Sequence, residues 1–231
     1  MNRCAGQSVV NGDDRRTVSP SHASEVALSA QGTKLNRRGR ENRRAILAIA
    51  VACLATGSPE AMSANRIAKE AGVTWGTIQH QFGDADGLWS AVLEQVVGAL
   101  TSHRLSGSIR PHRTVGGQVS AIVDWLWHAL DSPEARAVQT IRVCLSRDHA
   151  VLTEEWPLTA SAIEHVDEAW TAMISGMLDG LVGSKVKLRR VEQLLPAAMH
   201  GIQMQGEIST LTDVEEARRG LADALTAYLT A

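Results

Sequence analysis

From Glu41 to the end of the chain, apolar side chains recur at intervals of three and four in one segment after another, and no period of two lasts long enough to make a strand. That pattern confines the chain to an all-α fold. The first stripe, Ile46, Ile49, Ala50, Cys53 and Leu54, belongs to a helix over Glu41–Thr56 that Gly57 and Pro59 stop. Two short helices follow, Ser63–Glu70 and Thr74–Gln81, joined at Ala71-Gly72-Val73. A fourth begins near Asp84, a good N-cap, and carries Leu88, Trp89, Val92, Leu93, Val96 and Leu100. Beyond a Gly/Ser/Pro-containing link around Ser106–Pro111, the spacing predicts helices over 115–130, 134–147, 158–182, 186–208 and 213–230. Three parts are expected: a disordered basic arm over 1–38, rich in Ser, Gly, Asn and Asp; a small helical domain over 39–104; and a larger one over 105–231.

Net charge is only −2, yet its distribution is uneven. Between Lys34 and Gln81 stand eight basic residues (Lys34, Arg37, Arg38, Arg40, Arg43, Arg44, Arg66, Lys69) against three acidic ones, whereas from Leu105 onward eleven basic residues face sixteen acidic ones. A basic front and an acidic rear fit a protein that meets a polyanion at one end. The cysteines Cys4, Cys53 and Cys144 are odd in number and have no metal-ligand spacing, which points to a reducing compartment with neither disulfide nor metal. No signal-like or membrane-spanning apolar run is present, so a cytoplasmic location without membrane contact is expected.

The two short helices carry the functional signal. A steep crossing of two helices needs a small contact residue, a turn residue that accepts positive φ, and an aliphatic plug from the second helix. Ala68, Gly72 and Ile78 supply these, with Ile67, Val73 and Phe82 at the edges, so a helix-turn-helix is predicted over about 64–83.

The run VTWGTIQHQF (Val73–Phe82) followed by GDADGLW (Gly83–Trp89), within Arg44–Glu94, resembles the N-terminal domain of the TetR family of transcriptional regulators. The resemblance implies a three-helix, homeodomain-like DNA-binding domain followed by a helical ligand-binding and dimerisation domain. Two positions depart from the family pattern where it commonly touches phosphate: Gln79 stands for a Tyr, and Ala85, between Asp84 and Asp86, for a Lys. Losing the Lys lowers the number of counterions released on DNA binding by about one.

Around the second short helix, Ile78 and Phe82 define the buried side, which leaves Gly76 and His80 opposite and Thr77 and Gln79 on the flanks. Such a helix enters the major groove N-terminus first, so Thr74, Trp75, Gly76 and Thr77 are expected nearest the bases, with Thr74 also the N-cap. Trp75 either packs on a thymine methyl or leans back on the helix junction; His80 either contacts phosphate or is solvated. Arg66 and Lys69 are candidate backbone clamps, and Arg37, Arg38 and Arg40 are candidates for a flexible arm in the adjacent minor groove. The alternative for everything before residue 34 is a solubilising tail or a misassigned start.

In the second part, Val191, Leu195, Ala198, Gly201 and Ile202 form one narrow apolar seam and Leu221, Leu225 and Tyr228, with Val214 and Ala217, another. The resemblance implies that the last two long helices pair with those of a second copy, giving a homodimer and a palindromic operator; the alternative is that both seams cover the chain's own core. It also implies a pocket for a small apolar or aromatic effector. Candidates are Trp125, Trp127, Arg142, Cys144, Trp156, Trp170, Met173 and Met177, for which core packing is the competing role.

The expected function is therefore a ligand-responsive DNA-binding regulator, a repressor in the family's commonest form, with no cofactor. The alternative is a related binding or heterodimerising module with weakened DNA binding. An enzyme is not expected, since the chain has no nucleophile elbow, HExxH, EF-hand loop or phosphate-binding glycine loop.

Overall fold

A computed structural model describes residues 28–101, 109 and 112–231. Among these the backbone forms ten α-helices and one 3-10 turn at Pro59–Ala61, and its extended pairing is limited to one isolated bridge between Leu28 and Lys34. The fold is all-α, as the periodicity requires. The N-terminal domain holds α1 (Arg37–Leu54), α2 (Ala64–Glu70), α3 (Trp75–Phe82) and α4 (Ala85–Thr101). The rest comprises α5 (Val115–Leu130), α6 (Pro133–Cys144), α7 (His149–Glu155), α8 (Pro157–Leu178), α9 (Lys185–Ile208) and α10 (Val214–Thr230).

Helix starts follow from capping chemistry. The side chains of Asn36, Ser63, Thr74, Thr114, Ser132, Asp148, Ser184 and Asp213 each accept an N–H from the turn they precede, donors that a helix leaves without an internal partner. Asn36 corrects the expected arm boundary. Its Oδ1 accepts the Gly39 N–H at 2.8 Å and starts α1 at Arg37, four residues before the apolar stripe signals it, while Leu35 is buried beside it. Arg37, Arg38 and Arg40 therefore lie on a helix and not on a flexible arm. The part of the arm before residue 28 lies outside the described residues. The short α7 was also missed, because it buries no side chain and so carries no stripe.

Buried side chains of both parts join in one cluster. The helix α4 packs along α8 more extensively than any other pair, α1 lies against α6, and α10 lies against α5 and α9. Two buried polar contacts tie the parts together: Thr140 Oγ1 of α6 donates to the Leu54 carbonyl at 2.8 Å, and Asp86 of α4 accepts from the first turn of α8. Glu94 of α4 adds an exposed pair with His165 of α8 at 2.6 Å, and the hydrogen bond to that carboxylate raises the His165 pKa above its usual value. No described helix is long and apolar enough to cross a membrane.

Candidate nucleic-acid interface

The helix-turn-helix is built from the residues that the steep crossing demands. Ala68 is 4% exposed where α2 meets α3, and Ile67 and Ile78 are fully buried there. The turn at Gly72 has φ +64°, a left-handed conformation that costs most residues about 1–2 kcal/mol, and the Val73 N–H closes it onto the Ala68 carbonyl at 2.9 Å. Ser63 caps α2 through the Arg66 N–H at 3.3 Å. Thr74 caps α3 through the Thr77 N–H at 3.3 Å, and the two threonine hydroxyls lie 3.1 Å apart.

This geometry leaves the start of α3 open. Thr74, Gly76, Gln79 and His80 are exposed and Thr77 is half-buried. A Cβ on Gly76 would meet no neighbour closer than Thr74 Oγ1 at 3.7 Å, so a flat, narrow face remains at the helix start. Trp75 is half-buried and packs against the core, which places the indole at the junction with part of its surface still in solvent. Arg66 and Lys69 are exposed on α2, as are Arg37 and Arg38 at the start of α1. Arg37 pairs with Glu41 at 2.8 Å, and the half-buried Arg40 spends one N–H on the Leu35 carbonyl at 2.9 Å. Arg40 is thus part of the fold at this point and does not reach outward as an arm residue would.

Three features of α3 escaped the sequence reading. Gln81, to which the sequence assigns no role, is 5% exposed and donates through Nε2 to the Gly39 carbonyl at 3.3 Å. Arg43, counted only as charge, donates to the Gln81 carbonyl at 2.5 Å and lies 4.3 Å over the Phe82 ring, and burial lowers its pKa. The segment before α1, expected to be without structure, contacts the end of α3 through the Ala30 N–H and the His80 carbonyl at 3.2 Å. None of these contacts has a local sequence signature, since the partners lie about forty residues apart or more.

The eight candidate pocket residues do not converge. Met173 and Met177 line an open groove of about 540 Å³ with Ile109, His112, Gln118 and Leu181, whereas Cys144 lines another of about 610 Å³ with Arg147, His200 and Met204. Arg142 pairs with Asp167 at 2.6 Å, and Trp127 lies under the Arg218 guanidinium at 5.1 Å. Trp125, Trp156 and Trp170 pack half-buried against the core. The described residues contain no cluster of three or more His, Cys, Asp or Glu fit to hold a metal ion.

The expected dimer seam needs correction. Val191, Leu195 and Leu225 are 1%, 1% and 3% exposed, so they are core of this chain and cannot meet a second copy. Ala198, Ile202, Leu221 and Tyr228 are half-buried, Tyr228 accepting from Arg190 Nη1 at 3.1 Å, and only Gly201 is exposed. Another row of α9 faces outward instead: Leu194, Ala197, Gly201, Met204 and Ile208, continuing to Leu211 beyond the helix. Its alternating spacing of three and four is that of a helix-pairing seam.

A family model described as bacterial regulatory proteins, tetR family, matches residues 46–92, from the middle of α1 into α4. No curated protein matches the chain significantly.

Proposed function

We propose that this chain, a member of the tetR family of bacterial regulatory proteins by its N-terminal domain and so a DNA-binding transcriptional regulator, acts as a homodimeric, ligand-responsive repressor of a palindromic operator. The observation that carries the reading is the exposed start of α3, capped by Thr74 and open at Gly76, on a domain of that family. Thr74, Gly76 and Thr77 face the bases with the solvent-exposed part of Trp75 beside them, Gln79 and His80 lie beside the groove, and Arg66, Lys69, Arg37 and Arg38 meet phosphates.

Binding-site selection with the purified chain, at low and at physiological salt, tests this directly. A palindrome is expected from the wild type. Gly76→Asp, which sets a carboxylate against the acceptor-rich groove floor and phosphates, is expected to weaken binding to it by about a hundredfold. A wild-type chain that enriches no palindrome at either salt overturns the proposal.

The outward row of α9 supports the homodimer. Leu194 is 53% exposed and Ile208 75%, apolar surface that water penalises and a two-fold mate would cover. The small Ala197 and Gly201 between them let two helices approach closely. Leu194→Glu together with Ile208→Glu is expected to turn a dimer into a monomer in sedimentation velocity while the helical circular dichroism is kept. A dimer that persists would move the interface elsewhere.

For the ligand response, the support is the placement of α8. Its C-terminal half lines the groove at Met173, Gly176 and Met177, a volume in the range of small-molecule sites, and its N-terminus is fastened to α4 by Asp86. A small, largely apolar effector seated at Met173 and Met177 shifts the orientation of α8 and, through Asp86, that of α4 and α3. The response requires unequal affinity for the two arrangements, typically a coupling of about 1–3 kcal/mol.

A further inference from the structure

We infer that residues 28–36 form a clasp that positions the recognition helix α3 and so sets its sequence selectivity, a role that rests on the DNA reading above. A helix ends with carbonyls that lack an internal donor, and how they are satisfied fixes how firmly the end is held. At the end of α3 three consecutive carbonyls are answered from three places. Gln79 O accepts the Gly83 N–H at 2.8 Å, His80 O accepts the Ala30 N–H at 3.2 Å, and Gln81 O accepts Arg43 Nη1 at 2.5 Å. The first donor is local, the second belongs to the clasp and the third to α1.

The clasp is itself ordered by hydrogen bonds. Ser29 is 6% exposed; its N–H donates to the Thr33 carbonyl at 2.8 Å, and its Oγ accepts the Gln31 and Thr33 N–H groups at 3.3 and 3.2 Å. Gly32, at φ +73°, reverses the chain, and the buried Leu35 with the Arg40 bond to its carbonyl fastens the base to α1. On the far side a side chain added at Gly83 would meet the Ala30 methyl at 3.5 Å. The end of α3 is thus held between clasp and α1.

Bases are met at the other end of the helix. Eight residues span about 12 Å, so a tilt of about 5° about the C-terminal end carries the Thr74 end through about 1 Å. Hydrogen bonds to base edges tolerate a few tenths of an ångström, whereas attraction to phosphates falls off far more slowly. A loosened clasp therefore degrades sequence reading and leaves non-specific attraction alone.

Two charge-neutral substitutions in the full chain test this: Ala30→Pro removes the N–H given to His80, and Ser29→Ala removes the oxygen that orders the clasp. Binding is measured to the palindrome selected by the wild type and to a scrambled duplex over a series of salt concentrations, with hydrogen exchange of the α3 amides in the free protein. For both variants, affinity for the palindrome is expected to fall about fivefold to tenfold. Affinity for the scrambled duplex and the salt slope are expected to stay unchanged, with faster exchange in α3. Equal losses on both duplexes, or palindrome affinity and α3 exchange unchanged in both variants, would overturn the inference. A wild-type chain with no preferred duplex fails before any substitution and overturns the DNA reading along with it.

Discussion

Gly87→Ala is expected to lower the unfolding free energy by about 3 kcal/mol, the upper end for a side chain forced into filled space. A Cβ at Gly87 would lie 1.9 Å from the Phe82 carbonyl oxygen and 3.0 Å from its carbon. That neighbour is backbone, which cannot rotate away. The close approach has a local cause: Gly83 at φ +91° ends α3, and Asp84 Oδ1 accepts the Gly87 N–H at 2.9 Å, so α4 begins directly over the last turn of α3. The sign is the diagnostic part. Alanine in a helix is normally favoured over glycine by about 1 kcal/mol, so an exposed glycine of the same helix with open space around it should respond the other way. Gly98 is such a residue, and Gly98→Ala is expected to stabilise by about 0.5–1 kcal/mol. Urea unfolding of the two variants measures both. If Gly87→Ala matches Gly98→Ala, the tight α3–α4 approach is wrong. Because relief of the clash must push α3 or α4, specific DNA binding is expected to fall well before the domain unfolds.

Of this turn only Asp84 was legible in the sequence, as an N-cap, and so was the junction of Ala68, Gly72 and Ile78, because both are local: neighbours in space are neighbours in the chain. The helices were legible for the same reason, since a stripe of apolar residues is a property of one segment. What the stripe does not say is which partner covers it. The α9 helix carries two apolar rows roughly 140° apart around its axis, one through Val191, Leu195 and Met199 and one through Leu194, Ala197, Gly201, Met204 and Ile208. Choosing between core and outward face requires knowing where α5, α8 and α10 pack, which no pattern within α9 encodes. The pocket candidates scatter for another reason. Large soft side chains were grouped by type, and type does not bring residues from α5, α6 and α8 to one point; Arg142 and Trp127 found Asp167 and Arg218 instead. The clasp and Asp86 belong to a third class, polar contacts between distant segments, where the sequence shows only a residue that looks like surface.

Asp86 is the sharpest case, and its removal is the second large effect. In the sequence it reads only as an acidic neighbour of Ala85. In the structure it is 9% exposed, with Oδ2 accepting the Leu158 N–H at 2.9 Å, Oδ1 accepting the Thr159 N–H at 2.8 Å, and the Thr159 hydroxyl donating back to the Asp86 carbonyl at 3.2 Å. The helix it meets has no cap of its own: Trp156 precedes α8 without a capping side chain, and Pro157 has no N–H to give. Asp86 therefore caps α8 from another helix, and its charge faces the positive ends of both α4 and α8. Asp86→Ala removes the cap and leaves the buried Thr159 N–H and the part-buried Leu158 N–H without their acceptor, for an expected loss of about 2–3 kcal/mol. Asp86→Asn keeps one acceptor oxygen but loses the charge, and about half that loss is expected. Urea midpoints at constant slope would measure both, and an Asp86→Ala chain within about 0.5 kcal/mol of wild type would show that the cap contributes nothing. The functional consequence separates this contact from ordinary packing. On the proposed ligand response, in which α8 reaches from the groove at Met173 and Met177 to Asp86, a chain that folds without this cap should keep its preference for the selected palindrome and lose the effector-dependent shift in DNA affinity. A full effector response in Asp86→Asn, folded and monodisperse, would mean that the signal reaches α3 by another contact, the Thr140 bond to the end of α1 being the next to test.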